Sequence, residues 1–228
     1  DWLARLRAAA WSAPKVGTVT PFSNSGSIAS YPAATGQAMS AEEAGRLDAL
    51  AAKTHAGVRA PLPVGVGFCL YVRRDCLREV GGFDAEAFGR GYGEETDFCL
   101  RARRRGWSHL LAADVYVYHA GGLSFGPRRA ALLDRSQRLL ELRHPGFARS
   151  VAVFEARDPL QPLRRQLDER RLLDFDGRFV LLSTLAMSGG VERFVEERCR
   201  AIRAEGRQPL LLRPVRAGDS GQCELSTE

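Results

Sequence analysis

The strongest constraint on the fold is a strand–helix–strand pattern near the end of the chain. An apolar run at Phe179–Ser183 is followed by Gly189 and Gly190 and then by apolar side chains at helical spacing. Gly206 ends that segment, and a second apolar run, Pro209–Arg213, follows. Two strands joined through one helix predict a parallel pair from a doubly wound α/β sheet. The buried stripe of the helix is expected to hold Val191, Phe194, Val195, Cys199 and Ile202.

Strand-like and helix-like segments also alternate in the first two thirds of the chain. We predict helices at 2–10, 40–53, 94–105 and from 127 to about 144, and strands at 16–20, 65–73 and 115–118. Ser40 is an expected N-cap, and Asp75 is expected to cap a short helix that ends at Gly81. In the strand at 65–73, the side chains that share one face at period two are Val66, Phe68, Leu70 and Val72. Prolines and weak periodicity predict a linker with one helix over 147–177.

The composition is that of an ordinary soluble globular protein. There are 33 Lys+Arg against 27 Asp+Glu, which leaves a net charge of +6. The arginines are scattered among acids, so solvated helix faces are the favoured interpretation and a nucleic-acid surface is not. An anionic ligand or an anionic lipid surface stays open as an alternative.

Cysteines and apolar runs indicate the compartment. Five cysteines, an odd number with no CxxC pair, indicate neither a disulfide framework nor a zinc cluster, and a reducing cytoplasm fits best. No apolar run approaches the ~18 residues of a membrane-spanning helix, and the amino terminus lacks the apolar core of a signal peptide. The chain starts at Asp1 without Met, as though cut from something longer.

The densest polar cluster is Gly93–Arg101 (GEETDFCLR), which brings three carboxylates to the first turn of a helix. The helix dipole favours each of Glu94, Glu95 and Asp97 there, but the three repel one another, so at least one is expected to have a raised pKa. Such a carboxylate is suited to act as a general base toward a hydroxyl. The alternative from physics alone is an N-terminal acid cluster with Asp97 and Arg101 paired at i,i+4.

His119 closes an aromatic strand and precedes a glycine-rich loop. It is suited to bind a metal or to shuttle a proton, or else it is a hydrogen-bonded structural histidine. We interpret His55, His109 and His144 as structural or surface residues. Asp174 and Asp176 have Asp-x-Asp spacing, but they precede a strand instead of ending one, so we set them aside.

In their order and spacing, four segments resemble the family-2, GT-A-fold glycosyltransferases, especially bacterial rhamnosyltransferase-like enzymes of surface-polysaccharide assembly. The resemblance covers about residues 1–126. The segments are Val16–Asn24, Gly65–Asp84, Gly93–Trp107, and His119 with Gly121, Ser124 and Phe125. The resemblance implies a partial GT-A (nucleotide-diphospho-sugar transferase) fold and an inverting, metal-dependent sugar transfer.

The resemblance also implies roles for individual residues. Glu95 maps onto the base that deprotonates the acceptor hydroxyl, with Glu94 beside it and Asp97 one turn along. His119 resembles the histidine that helps to bind a divalent cation, Mg²⁺ or Mn²⁺, on the donor diphosphate. The acceptor side is expected to include Gly65, Gly67, Tyr92, Gly93 and Trp107. We therefore expect Glu95, Asp97 and His119 to converge on one cleft at the carboxyl ends of the strands.

The same resemblance suggests what the chain binds and where it acts. The donor is expected to be a dTDP- or UDP-sugar, and the acceptor a saccharide or lipid-linked saccharide, on the cytoplasmic side and at the inner face of the membrane. In the family, an Asp-x-Asp donor motif would lie before Asp1, so we expect this sequence to hold the acceptor half and to be inactive alone.

We expect residues 1–146 to be this half-domain and 147–177 the linker. Residues 178–228, with a Rossmann-like β-α-β unit, resemble the incomplete start of a GT-B-fold, family-4-type glycosyltransferase. A non-catalytic carbohydrate-binding or scaffolding module is the alternative from another class, while RNA binding lacks an aromatic-basic motif.

Overall fold

The computed structural model describes residues 1–32, 39–89, 92–120, 129–174, 177–183, 190–214 and 223–226. The chain divides into two compact units, Asp1–Leu167 and Asp168–Glu228. Among the described residues, both units contain helices as well as strands, so the predicted α/β class is confirmed. Among the residues singled out in the sequence, Gly121, Ser124, Phe125, Asp176 and Gly189 lie outside the described residues.

Up to Leu173 the described helices are α1 (Trp2–Ala10), α2 (Ala41–Thr54), α3 (Arg74–Val80), α4 (Ala85–Phe88), α5 (Glu94–Arg104), α6 (Arg129–Arg143), α7 (Phe147–Arg157) and α8 (Gln161–Leu173). The strands are β1 (Val16–Phe22), β2 (Arg59–Leu62), β3 (Tyr71–Val72) and β4 (Ser108–Tyr116). They form a mixed sheet in the order β2-β4-β1-β3. The two central strands, β1 and β4, are parallel, and both edge strands are antiparallel to their neighbours.

Helices cover both faces of this sheet. Every residue of β1 is buried, which is expected of a central strand between two helical layers. Leu6 and Ala9 of α1 pack with Val115 in one cluster. A second cluster joins α2 and α8 to β1 and β4. Because β1 and β4 run parallel, their carboxyl ends lie at the same edge of the sheet, where ligands of open α/β sheets bind.

Several elements agree with their local sequence signals. The Ser40 side chain accepts a hydrogen bond from the Glu43 amide and so caps α2 as predicted. Helix α5 has Phe98, Cys99 and Ala102 on its buried side, as the spacing predicted. Asp75 differs from the prediction: it lies inside the first turn of α3, and the N-cap position belongs to Arg73.

Two predicted strands have different lengths in the structure. The segment predicted at 65–73 is extended only at Tyr71–Val72, because side chains take up the amides of Gly65 and Val66. Conversely, of the strand predicted at 115–118 only residues 115 and 116 are in a strand, and they end the nine-residue β4 that begins at Ser108. The polar residues His109 and Asp114 interrupted its apolar pattern, but both are buried and hydrogen-bonded.

The region predicted as a linker with one helix contains two helices, α7 and α8. Leu160 and Leu167 have no exposed surface and belong to the cluster that also holds Phe22 and Leu111 of the sheet. Charged residues around these leucines hid that contribution in the sequence. The segment therefore helps to form the core of the first unit as far as Leu167.

The second unit contains the predicted strand–helix–strand pattern. Strand β5 (Phe179–Ser183), helix α9 (Gly190–Ala204) and strand β6 (Gln208–Pro214) follow in order, and β5 and β6 pair in parallel as predicted. Strand β7 (Cys223–Ser226), antiparallel to β6, was not predicted. Of the expected helical stripe, Val195, Cys199 and Ile202 are buried, while Val191 and Phe194 are exposed.

Within the described part of the chain, no helix is both long and apolar enough to cross a membrane.

Candidate functional site

Asn24 and His119 meet where β1 and β4 end. The two strands are still hydrogen-bonded at their ends: the amide of Val117, one residue after β4, donates to the carbonyl of Phe22, the last residue of β1, at 2.9 Å. Farther along, the Asn24 side chain accepts from the His119 amide at 2.9 Å and donates to the His119 carbonyl at 3.1 Å. Asn24 is 2% exposed. The Asn24 side chain therefore connects the two chain segments that follow β1 and β4 at the carboxyl edge of the sheet.

The imidazole of His119 has two further contacts. Its Nδ1 lies 2.9 Å from the carbonyl oxygen of Ser25. The ring of Phe68 is stacked on it, with centroids 5.5 Å apart and planes 20° from parallel. These contacts fix both the position and the plane of the ring.

Hydrogen bonds to two buried side chains hold the turn that carries Phe68. The Gly65 amide donates to the Cys99 sulfur at 3.3 Å, and the Val66 amide donates to the Thr20 hydroxyl at 3.1 Å. Gly65 itself is closely packed, because a Cβ there would lie 2.3 Å from Leu70 Cδ1 and 3.0 Å from Thr18 Oγ1, so these neighbours would have to shift. Gly65, which we expected on the acceptor side, is therefore a packing position below the turn.

Gly67 of the same turn lies against Glu95. A Cβ on Gly67 would be 3.2 Å from Glu95 Cδ, so the absence of a side chain leaves space for the carboxyl group. The next residue in the chain, Phe68, contacts His119. Glu95 and His119 therefore each lie beside one of two consecutive residues of the same turn.

Burial makes the Glu95 carboxyl group a weaker acid than an exposed glutamate. Burial raises the pKa of Glu95 above its ordinary value, and the neighbouring Glu94 carboxylate raises the pKa further. Backbone hydrogen bonds from Glu95 and Gly93 and a long hydrogen bond of 3.4 Å from the Thr96 hydroxyl oppose this rise in the pKa without cancelling it. Glu94 Oε2 is also buried, and it has no hydrogen-bond partner among the described residues. A half-buried carboxylate with raised pKa is the kind of group that acts as a general base.

Asp97 does not join Glu95 and His119. It is 1% exposed and bonds to Arg101 at 2.7 Å and to His144 Nε2 at 2.9 Å. Burial alone would raise the pKa of Asp97, but the hydrogen bonds from His144 and Arg101 outweigh burial and lower it. Arg143 adds a longer contact at 3.4 Å. This carboxylate connects α5 to Arg143 and His144 at the end of α6. Its pairing with Arg101 agrees with the structural alternative predicted from the i,i+4 spacing.

The other expected acceptor residues lie at different distances from Glu95. Gly93 is the N-cap of α5 in the left-handed conformation, directly before the two glutamates. Tyr92 precedes it, and its carbonyl accepts from the Ser136 hydroxyl. Trp107 lies beyond the opposite end of α5, a helix of 11 residues that spans about 16 Å. It is 4% exposed and packs in the core, so we correct its expected role from sugar contact to packing.

The contact of His119 with Ser25 determines which nitrogen is available for a metal. A carbonyl oxygen only accepts, so Nδ1 carries the proton and Nε2 has the lone pair in the neutral ring. Metal-binding histidines commonly donate their other N–H to such a carbonyl. His119 therefore fits as one metal ligand. Among the described residues, no group of three or more His, Cys, Asp or Glu side chains could hold the ion.

Sequence reasoning missed Asn24, Ser25 and Phe68 as parts of this site. Asn24 and Ser25 stand in a polar, glycine-containing turn directly after a buried strand, which is the available sequence signal. Phe68 was expected to be a core residue of a long strand. Its half-exposed position on the turn depends on how Gly65 and Val66 are anchored.

A separate, open groove of about 750 Å³ lies along α1 and β3. Its lining includes Arg7, Trp11 and Tyr71, and none of the expected site residues.

Comparisons with known proteins give no function. No family model matches the chain, and no solved structure matches it significantly. Uncharacterized proteins of Mycobacterium bovis (strain ATCC BAA-935 / AF2122/97) and Mycobacterium tuberculosis (strains CDC 1551 / Oshkosh and ATCC 25618 / H37Rv) are each 39% identical to it over 61 residues. The match covers 26% of this chain and 23% of each relative, so the chain spans less than a quarter of the length of the relatives it matches.

Proposed function

We propose that the first unit belongs to an inverting, GT-A-type glycosyltransferase of surface-polysaccharide synthesis. It transfers a sugar from a nucleotide diphosphate to a hydroxyl on a saccharide or lipid-linked acceptor. The observation that carries the proposal is the placement of Glu95 and His119 beside Gly67 and Phe68 of one turn. On this proposal, residues 178–228 form the start of a GT-B-like domain, and the turn binds the acceptor.

Glu95 is the proposed base. Because its pKa is raised, its carboxylate holds a proton more strongly than an ordinary surface carboxylate does, which favours removal of the acceptor proton. Backbone hydrogen bonds from Gly93 and Glu95, at the N-terminal end of α5, hold this carboxylate. His119 holds its Nε2 lone pair for one coordination position, and a divalent cation, Mg²⁺ or Mn²⁺, bound there would offset charge on the departing diphosphate.

Two sequence features support a cytoplasmic location for the proposed reaction. The cysteine pattern is that of a reducing compartment, and the arginine-rich helix faces are compatible with contact to an anionic membrane surface. A lipid-linked acceptor would be available at that surface.

The activity test measures sugar transfer by the natural polypeptide that carries this sequence. Glu95→Gln keeps the size of the side chain but does not accept a proton, so turnover should fall by about 100-fold or more with donor binding unchanged. Glu94→Gln should cost less. Glu86→Gln, an exposed glutamate on α4, is the matched control and should leave turnover unchanged. Turnover close to wild type in Glu95→Gln would place the base elsewhere.

The same variant has a stability readout that needs no substrate. Since burial raises the pKa of Glu95, the folded state favours the protonated form. That contribution is complete below the ordinary glutamate pKa and is lost as the pH rises through the raised pKa. Glu95→Gln should therefore raise the unfolding midpoint at neutral pH and have less effect in acid. A lower midpoint at neutral pH would contradict the raised pKa.

A non-catalytic carbohydrate-binding module is the second candidate. The stacked rings of Phe68 and His119 favour it, because aromatic faces bind apolar sugar faces without any chemistry. Saccharide binding that Glu95→Gln leaves intact, together with no transfer by the wild-type polypeptide from any nucleotide sugar, would favour this candidate.

A further inference from the structure

The side chain of Asn24 pairs with the backbone of His119 as a neighbouring strand would. Its amide oxygen accepts from the His119 N–H and its amide nitrogen donates to the His119 carbonyl, across 95 residues of sequence. The Asn24 side chain itself is almost fully buried, at 2% exposed, while His119 is partly exposed. A buried amide with both ends satisfied holds its partner more firmly than an exposed one.

The two residues after Asn24 complete the fixation of the ring. The Ser25 carbonyl fixes the proton on Nδ1 of His119. Gly26 leaves room for Phe68 over the ring, because a Cβ on Gly26 would lie 3.0 Å from Phe68 Cε1. Three consecutive residues thus position one histidine. Asn24 bonds the backbone of His119, Ser25 fixes the tautomer, and Gly26 leaves space for the Phe68 ring that stacks on the imidazole.

A comparison with His109 separates this arrangement from a merely structural histidine. His109 is 2% exposed, and both of its ring nitrogens are used, by Thr18 Oγ1 at 2.8 Å and by the Cys99 carbonyl at 2.9 Å. Within the described part of the chain, Nε2 of half-exposed His119 has no such partner. A ring that is fixed at one nitrogen and open at the other is arranged for a ligand at the open nitrogen.

We infer that Asn24 is a positioning residue that, with the Ser25 carbonyl, holds His119 in the Nδ1–H tautomer with the Nε2 lone pair available. The identity of the ligand, a divalent cation, rests on the proposed glycosyltransferase function. The positioning itself does not.

The test uses the whole 228-residue chain labelled with ¹⁵N and reads the imidazole nitrogens by NMR, with Mn²⁺ as the probe ion. In the wild type, His119 should show the Nδ1–H tautomer, and Mn²⁺ should broaden its signals first. Asn24→Ala should give a mixture of tautomers and about 10-fold weaker broadening, the loss typical of removing an outer partner of a metal ligand. Asn24→Asp keeps the acceptor for the His119 amide and loses the donor, so its effect should be intermediate.

Two controls separate positioning from general destabilisation. Ser40→Ala removes the cap of α2 and weakens folding without touching His119, so the His119 signals should not change. His119→Ala should abolish the broadening that is assigned to this ring. If Asn24→Ala does not fold, Asn24→Asp supplies the same comparison.

The outcomes distinguish the inference from the proposed function. A folded Asn24 variant with wild-type tautomer and Mn²⁺ response overturns the inference. A tautomer change in a chain that binds no Mn²⁺ supports positioning by Asn24 and counts against the metal part of the proposed function. An altered tautomer in Ser40→Ala as well would show a general loss of order and would also overturn the inference.

Discussion

At the scale of single residues, Glu95 and Asp97 show how position decides the chemistry of a carboxylate. Both lie in the first turn of α5. Glu95 contacts a glycine turn and has a raised pKa, whereas Asp97 is bonded to Arg101 and His144 and has a lowered pKa. The first is suited to take a proton and the second to keep a buried contact ionised.

Asp97→Asn tests the structural role of this carboxylate. The substitution removes the negative charge that Arg101 and His144 contact. The free energy of unfolding should therefore fall by about 3 kcal/mol or more at neutral pH. Because the pKa of Asp97 is lowered, this contribution is present above the ordinary aspartate pKa and is lost as pH falls through the lowered value. Urea unfolding followed by the fluorescence of the three tryptophans would measure it.

Asp134→Asn is the matched control for that prediction. Asp134 pairs with Arg138 at the same i,i+4 spacing, but the two side chains are 59% and 80% exposed. Removing such a surface pair should change stability by about 0.5 kcal/mol or less. Normal stability of Asp97→Asn combined with lost sugar transfer would instead return Asp97 to the catalytic group.

At the scale of elements, the start of α5 decides where the two glutamates stand. Gly93 has φ of 94°, a left-handed conformation that costs other residues energy. A Cβ there would also lie 3.1 Å from Phe88. The glycine therefore permits the sharp entry into α5 that brings Glu95 to Gly67.

Gly93→Ala should lower the free energy of unfolding by about 1–2 kcal/mol and should reduce sugar transfer by displacing Glu95. Gly82→Ala is the control, since nothing lies within 4 Å of its added Cβ and its φ is not positive. Gly81→Ala, with φ of 90° and open space, isolates the cost of backbone strain. Equal stability of the variants at positions 82 and 93 would refute this explanation of the helix start.

At the scale of the first unit, residues of α8 and of the turn before it, late in the sequence, complete the hydrophobic core. Leu160 and Leu167 pack with Phe22 and Leu111 although the sequence separates them by more than a hundred residues from β1. A unit of this size needs such long-range contacts to bury both faces of its sheet.

Leu160→Ala should therefore lower the free energy of unfolding by about 2–5 kcal/mol, the range for a leucine in a packed core. Leu142→Ala, at a position that is 78% exposed, should change it by about 0.5 kcal/mol or less. Tryptophan fluorescence suits this measurement because Trp2, Trp11 and Trp107 all lie in the first unit. If both variants unfold alike, residues 147–167 do not contribute to the core.

The sequence alone determined the features that depend on neighbours within a turn or two. The cap at Ser40, the buried side of α5 and the parallel pair β5–β6 followed from capping, spacing and glycine positions. The acid cluster and His119 were also identified from local patterns.

The tertiary structure alone decided which polar groups are satisfied by distant partners. It extended β4 through His109 and Asp114, shortened the strand before Tyr71, turned Asp97 toward His144 and placed Asn24 on His119. The physical reason is that the cost of burying a polar group depends on its partner. Local sequence patterns do not identify that partner when it lies 47 or 95 residues away.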